Sequence, residues 1–284
     1  MTEAGAAVPS RELAAVEPAP APRLPGRLLR WLLPSAVLFA AFAGWEILVR
    51  VNEIPHYILP GPLLVVETLV ADWPVLYGSL LNTLKITFGA LAIATVGGVG
   101  LAVLFAQSRW VEMSFFPFAV ILQVTPVIAI APLIFIYVDS PVAGLLICAW
   151  IVAFFPILAN TTLGLNSADH NLQDLFQLYG ASRWQVLRYL RLPSAMPYFL
   201  GGLKIAGGLA LIGAIVAEFT AGTAGMGSGL AFRILESGYR LNIPRMFAAL
   251  LLISVTGVSI FLTLSLVSHL ALRKWHESAV ARER

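Results

Sequence analysis

The chain has 284 residues, of which 59% are hydrophobic and 12% are charged, whereas an average soluble domain has about 45–50% and about 25%. These values exclude an ordinary water-soluble fold, because 18 basic and 15 acidic side chains are too few to cover a hydrated surface. The net charge of +3 lies mainly in basic residues at the edges of apolar runs, which favours membrane topology over nucleic-acid binding. The single cysteine, Cys148, excludes a disulfide scaffold, and the four histidines are too scattered to indicate a metal site.

The two ends of the chain differ in composition from its middle. The first 30 residues are rich in alanine and proline and place Arg23, Arg27 and Arg30 before the first apolar run. Because such a segment does not bury a core, it predicts a disordered cytoplasmic tail over residues 1–30. A transmembrane domain is expected over residues 31–272, followed by a short cytoplasmic tail over residues 273–284.

Six apolar runs are long enough to cross a bilayer, which takes about 18 or more apolar residues in a helix. They are approximately Leu32–Val49, Ser79–Ala106, Phe115–Val138, Val142–Leu163, Tyr198–Phe219 and Met246–Leu270. The first run also has the small-residue pattern of a signal-peptide site at Ala41-Phe42-Ala43, but it continues to Val49, which favours an uncleaved helix. After this run, Pro60-Gly61-Pro62 opens a segment that is too short and polar to cross, and we expect an interfacial helix there on the outer surface.

Lysine and arginine residues predict the orientation of these spans. With the N-terminus inside, the cytoplasmic segments hold twelve basic residues and the outer segments hold four. Because basic residues are enriched in cytoplasmic loops, both termini are expected in the cytoplasm.

Two spans have small residues at every fourth position, which lets helix backbones approach closely in a membrane. The residues are Ala90, Ala94, Gly98, Ala102 and Ala106 in the second span and Gly202, Ala206, Ala210 and Ala214 in the fifth. The pattern predicts a packed bundle of helices.

Prolines and polar residues concentrate in the third and fourth spans. Each interior proline leaves a carbonyl group without its helical partner, which a membrane tolerates only against protein groups or a watery cavity. These spans are therefore candidate walls of a pathway, although the prolines could equally serve to kink the helices for packing. The candidate lining residues are Gln123, Thr125, Pro126, Pro132, Asn160 and Thr161.

The residues that the spans lack restrict the source of energy. No acidic or basic residue lies near the middle of a span, whereas an ion-coupled carrier usually binds its ion there. The chain also lacks the G-x-x-x-x-G-K-[ST] loop, so a partner would have to bind ATP. An ion-coupled secondary transporter or channel, or a structural membrane component, remains the alternative. A Ser-His protease is excluded because Ser228 and His269 are expected about 35 Å apart.

The loop from Asn166 to Pro197 has a pattern of its own. Two apolar stripes at helical spacing are separated by Gly180, and Pro193 is expected to end the second helix. A glycine between two such stripes predicts a positive φ at Gly180. The loop could lie on anionic lipid, or it could dock a soluble partner. The stripes are Leu172, Leu175, Phe176 and Tyr179, then Trp184, Leu187 and Leu190.

This loop resembles the signature of the inner-membrane permease subunits of ATP-binding-cassette (ABC) importers. Their loop reads E-A-A, three residues, Gly, nine residues, I-x-L-P. Here the frame gives Asp174-Leu175-Phe176, Gly180 and Leu190-Arg191-Leu192-Pro193 at the same spacing. The departures are Asp for Glu and Leu-Phe for Ala-Ala.

The resemblance covers roughly residues 55–270 and is closest to the nitrate, sulfonate and taurine branch. Members of that branch have segments similar to Leu59–Pro62, Pro126–Leu133 and Gly180–Trp184. The branch also handles pyrimidine and riboflavin-type solutes. The resemblance implies an all-α protein of the bacterial inner membrane with six transmembrane helices and the type I ABC importer permease fold.

The same resemblance implies the partners and the docking residues. The expected partners are two ABC ATPase subunits, a second permease copy, an extracytoplasmic solute-binding protein and the lipid bilayer, with no cofactor, metal, catalytic residue or nucleic acid in this chain. The ATPase is expected to contact Asp174, Leu175, Phe176, Gly180, Ala181, Arg183, Trp184, Leu187, Leu190, Leu192 and Pro193.

Overall fold

A computed structural model describes residues 27–222 and 228–273. The tail expected over residues 1–30 therefore lies mostly outside the described residues, as does the C-terminal tail after residue 273. By its internal contacts the chain divides into two units, Met1–Trp45 and Glu46–Arg284. The first unit contains most of helix α1 (Arg27–Val51), whose residues 32–51 have a mean hydropathy of 1.9.

The described residues of the second unit form helices and connecting turns. The helices are α2 (Pro62–Ala71), α3 (Trp73–Gln107), α4 (Arg109–Val124), α5 (Val127–Tyr137), α6 (Pro141–Leu165), α7 (His170–Leu178), α8 (Arg183–Val186), α9 (Leu192–Ala221), α10 (Leu230–Tyr239) and α11 (Ile243–Leu272). Helix α2 occupies the segment where an interfacial helix is predicted.

Helices α3, α6 and α9 form the centre of this unit, with α6 packed against both of the others. The two rows of small residues lie in these interfaces, and each member is buried except Ala106, which is half-buried. At Gly202 the backbones are so close that an added Cβ would lie 2.7 Å from the carbonyl oxygen of Pro156. Small residues therefore permit the close helix packing that a membrane bundle needs.

The third predicted span is not one straight helix. Helices α4 and α5 meet at an angle of 101°, and the break lies at Thr125 and Pro126, which have ψ angles of 120° and 110°. The proline has no N–H to donate, and its ring disfavours a helical conformation at the residue before it. Five helices of the described residues are long and apolar enough to cross a membrane, and the bent pair makes six if it forms one span.

The prediction that Pro193 ends the second loop helix is wrong. A π-helical turn over Leu187–Arg191 joins α8 to α9, and the helical stretch runs without a break from Arg183 to Ala221. In the π turn the Leu192 N–H donates to the Leu187 carbonyl five residues back. This wider turn accommodates a proline that would otherwise crowd the carbonyl of the preceding helical turn.

Candidate docking hairpin and pathway

Helix α7, the Gly180 turn and α8 form a hairpin, which we define as residues 170–186. Gly180 has a φ of 66°, the left-handed value that the sequence predicts. Its N–H donates to the Gln177 carbonyl, and the Ala181 N–H donates to the Phe176 carbonyl, both at 2.9 Å. This is the Schellman arrangement that ends a helix on a glycine.

The second arm of the hairpin begins with an equally specific contact. The Gln185 N–H donates to Ser182 Oγ at 3.3 Å, and the Ser182 N–H donates to Gln185 Oε1 at 2.7 Å. This reciprocal pair is a capping box. The turn is therefore fixed on both sides by hydrogen bonds that depend on Gly180, Ser182 and Gln185.

The hairpin exposes apolar side chains rather than burying them. No residue of α7 is buried, and 85% of Leu178 and 84% of Tyr179 are exposed. We call this surface the hairpin patch, and it consists of Leu172, Leu175, Leu178, Tyr179 and Trp184.

Some of the residues that are predicted to contact the ATPase do not lie on the exposed surface of the hairpin. Leu187 and Leu190 are both buried within the chain, and Leu187 belongs to a core cluster that includes Phe105 and Leu165. Leu192 and Pro193 open α9 and are half-buried. The prediction that Leu187 and Leu190 face a partner therefore requires correction, because their stripe faces the bundle. The exposed members of the predicted set are Asp174, Leu175, Gly180, Arg183 and Trp184, while Phe176 and Ala181 are half-buried.

The predicted pathway residues are only partly brought together. Gln123 and Thr125 line a cavity of about 470 Å³ between the α4–α5 bend and helices α6 and α9, which Pro156 also lines. Thr161 lines a different, apolar cavity of about 520 Å³. Asn160 donates its side-chain N–H to the Pro156 carbonyl at 2.8 Å. The remaining two residues, Pro126 and Pro132, are exposed.

At the opposite end of α3 from the hairpin, a buried carboxylate joins three helices. Glu218 of α9 accepts a hydrogen bond from Thr83 Oγ1 of α3 at 2.7 Å and another from the Ala231 N–H of α10 at 3.0 Å. Thr83 Oγ1 in turn accepts from the Leu230 N–H at 2.9 Å. Two side chains from other helices thus satisfy the first N–H groups of α10, which its own residues leave unpaired.

Gly229 and Arg233 complete this arrangement. A Cβ at Gly229 would overlap the Glu218 carboxylate, so only glycine fits there. Arg233 donates to Ser79 Oγ at 2.9 Å, to Ser228 Oγ at 3.1 Å and to Glu236 at 2.6 Å. The last contact holds the pKa of Glu236 below its ordinary value. We call the set the α10 cluster, and it consists of Ser79, Thr83, Glu218, Ser228, Gly229 and Arg233.

No local pattern of residues predicts the α10 cluster. Glu218 is recognisable only as an acid near a span end, and Thr83 lies 135 residues before it. The same end of α3 also has an ion pair between Asp72 and Arg245, whose two hydrogen bonds measure 2.6 and 2.9 Å. This pair joins the start of α11 to the junction of α2 and α3.

Residues 74–275 match the model of the family described as binding-protein-dependent transport system inner membrane component. The chain belongs to this family. It is a permease subunit of an ABC importer, a multi-pass protein of the inner membrane and a transport component rather than the catalytic subunit. The resemblance to ABC importer permeases is thereby confirmed.

Curated relatives of the permease align over most of its length. It is 31% identical to the riboflavin transport system permease protein of Chloroflexus aurantiacus, over 82% of this chain and 86% of that protein. It is 32% identical to the formylaminopyrimidine transport permease protein of Halalkalibacterium halodurans, over 80% and 89%. The putative aliphatic sulfonates transport permease protein of Bacillus subtilis is 26% identical, over 90% of each chain.

A solved structure supports the fold of the permease. The crystal structure of an amino acid ABC transporter matches with a TM-score of 0.59 and covers 73% of this chain and 97% of that chain. At 18% identity the likeness concerns the fold, and the type I permease architecture with its all-α bundle is confirmed.

Proposed function

We propose that two copies of the permease form the translocation pathway, that one ATPase subunit docks on the hairpin of each copy, and that an extracytoplasmic binding protein delivers the solute on the opposite side. The observation that carries this proposal is the hairpin patch, an exposed apolar surface on a turn fixed by hydrogen bonds. Contiguous exposed apolar surface is typical of a site that a partner covers. The separate ATPase is needed because the chain has no P-loop.

The proposed orientation follows from the basic residues. Twelve of them lie in the segments that we propose to be cytoplasmic and four in those proposed to be outside, and this excess supports a cytoplasmic position for both termini and the hairpin. ATP-driven closure of the two ATPase subunits would move both hairpins and switch the pathway between inward- and outward-facing forms.

A neutral, nitrogen-containing heterocycle of the riboflavin or pyrimidine type is the proposed solute. Two relatives that are at least 30% identical transport such compounds by name. The cavity at the α4–α5 bend offers Gln123 and Thr125 among apolar side chains, and none of the described residues that line it is charged. A site for nitrate or a sulfonate would gain from a cationic lining, because basic groups bind oxyanions strongly.

The docking proposal is tested by two exposed tyrosines at opposite ends of the molecule. Tyr179 is 84% exposed on the hairpin, and Tyr239 is 87% exposed at the end of α10. Tyr179→Asp should abolish co-purification of the ATPase, whereas Tyr239→Asp should leave it intact. Equal recovery of the ATPase with both variants would contradict docking on the hairpin.

The solute is tested by uptake into proteoliposomes that contain the permease, its ATPase and its binding protein. Riboflavin or formylaminopyrimidine should accumulate with ATP, and taurine and nitrate should not. Gln123→Leu should reduce uptake about tenfold, because the substitution removes a hydrogen bond to the solute. Thr263→Val on the exposed face of α11 serves as the control. Uptake that stops when ionophores collapse the ion gradients at constant ATP would favour the ion-coupled alternative.

A further inference from the structure

A polar cavity lies next to the hairpin, and none of the five residues of the hairpin patch lines it. Its volume is about 310 Å³, and it lies between the hairpin and the end of α3 at Ala106 and Gln107. The polar residues that line it are Gln107, Gln173, Gln177, Arg183 and Arg191.

Arg191 has a donor that nothing in the described part of the chain satisfies. Its Nη1 donates to the Ala106 carbonyl at 2.7 Å, which fixes the guanidinium against the end of α3. Its Nε is buried and has no hydrogen-bond partner among the described residues. Because a buried unpaired donor is costly, an acceptor in the cavity would stabilise this arrangement.

Among the residues that the structure describes, the two arginines also lack an acidic partner. Within residues 27–222 and 228–273, no carboxylate oxygen lies within 4.0 Å of Arg183 or Arg191. The Gln173 Nε2 already donates to the Ala168 carbonyl at 2.8 Å, so the N–H donors that line this space come mainly from the two guanidinium groups. Guanidinium donors match the geometry of phosphate oxygens in particular.

The position of the cavity indicates where such a phosphate would come from. Gln107 lies three residues before Trp110, which is 79% exposed, and Arg109 between them is also exposed. Tryptophan is enriched at the level of the lipid headgroups. Basic pockets between spans on the cytoplasmic side bind the headgroups of acidic lipids.

We propose that this cavity binds the phosphate of an anionic phospholipid and thereby braces the hairpin against α3. The lipid phosphate pairs with Arg183 on the hairpin and with Arg191 at the end of the π turn, so one ligand contacts both. The cytoplasmic placement of the cavity rests on the proposed function. The exposed hairpin patch stays free for the ATPase.

Native mass spectrometry of the permease, purified from nanodiscs that contain phosphatidylglycerol and phosphatidylcholine, tests this site. Arg183→Gln and Arg191→Gln should each lower retention of phosphatidylglycerol about tenfold, the effect of losing one charge-assisted hydrogen bond. Arg188→Gln is the matched control, because Arg188 is exposed in the same π turn and does not line the cavity. Arg183 is itself exposed, so its variant is expected to fold even if Arg191→Gln does not.

A second arm separates the lipid from free phosphate. Inorganic phosphate is titrated into nanodiscs that contain phosphatidylcholine alone, and bound phosphate is counted with wild type and with Arg183→Gln. Binding of free phosphate that added phosphatidylglycerol fails to displace would overturn the lipid as the ligand. Equal retention of phosphatidylglycerol by all three variants and the wild type would overturn the site itself. ATPase recovery with Tyr179→Asp is independent of lipid retention, so failure of the docking proposal is distinguishable.

Discussion

The α10 cluster and the hairpin lie at opposite ends of α3 and treat polar groups in opposite ways. In the α10 cluster the carboxylate of Glu218 and the guanidinium of Arg233 are paired with groups of the same chain. In the hairpin, Arg183 has no acidic partner among the described residues, and apolar side chains such as Tyr179 are exposed. The charged groups of the α10 cluster are therefore satisfied within the chain. The hairpin instead has the exposed apolar surface that is typical of a site covered by a partner.

The largest effect is expected from Leu187→Asp, which tests where the boundary between core and docking surface lies. Leu187 is 1% exposed, so the variant buries an unpaired charge and should destabilise the permease by about 3–5 kcal/mol or prevent its folding. Leu178→Asp, at an 85% exposed position of the hairpin, should leave the melting temperature in detergent unchanged and reduce ATPase binding. If Leu187→Asp had the same melting temperature as the wild type, Leu187 would be a docking residue and not a core residue.

Glu218→Ala tests whether the α10 end depends on its buried carboxylate. The variant leaves Thr83 Oγ1 and the Ala231 N–H without their acceptor, and we expect a loss of about 2–4 kcal/mol in stability. Glu67→Ala, which removes an exposed acid on α2, is the control for the loss of a negative charge. Thermal unfolding in detergent measures both, and identical midpoints would show that the cluster contributes little.

Gly180→Val separates a role in docking from a role in stability. A Cβ at Gly180 would meet no atom within 4 Å, so the cost is confined to the left-handed backbone and amounts to about 1–2 kcal/mol. This strain should reorient α7 relative to α8, which is continuous with α9, and should abolish ATPase binding and transport while the bundle remains folded. Gly222→Val imposes the same kind of strain at a φ of 55° after α9. If both variants lose the ATPase equally, the hairpin geometry is not what the ATPase recognises.

The smallest effect is expected at the ion pair of Asp72 and Arg245. Both side chains are only about one-fifth exposed, at 21% and 23%, yet the pair lies near the surface, and a coupling energy of about 1 kcal/mol is expected. A double-mutant cycle of thermal stability with Asp72→Asn and Arg245→Gln measures this coupling. Additive effects of the two substitutions would show that the pair does not hold α11 to the α2–α3 junction.

Features that depend on residues close together in the sequence were predictable. Gly180 lies between two apolar stripes, and its positive φ follows from that pattern alone. The rows of small residues on α3 and α9 recur every four residues, and the structure buries them in the helix interfaces. A kink at a proline of the third span was one of two open interpretations. Its position at Pro126 and its angle of 101° were not predictable, because the residues on both sides are apolar and hydropathy alone shows one continuous run.

Features that depend on distant residues were not predictable in this way. The stripe of Leu187 and Leu190 has helical spacing, but spacing does not distinguish a face toward the protein core from a face toward a partner. Glu218 pairs with residues from two other helices, and a single glutamate near a span end looks the same in sequence whether it is paired or not.

The π turn before Pro193 has a mechanical consequence. Because it keeps the chain helical through the proline, Arg183 and Glu218 belong to one rod of 39 residues, about 58 Å long at 1.5 Å per residue. A flexible loop at Pro193 would let the hairpin move without moving α9. A continuous helix instead transmits a displacement or rotation of the hairpin to the other end of α9. The π turn is an irregular joint of this rod, where a change in winding would rotate the hairpin relative to the carboxylate that holds α10.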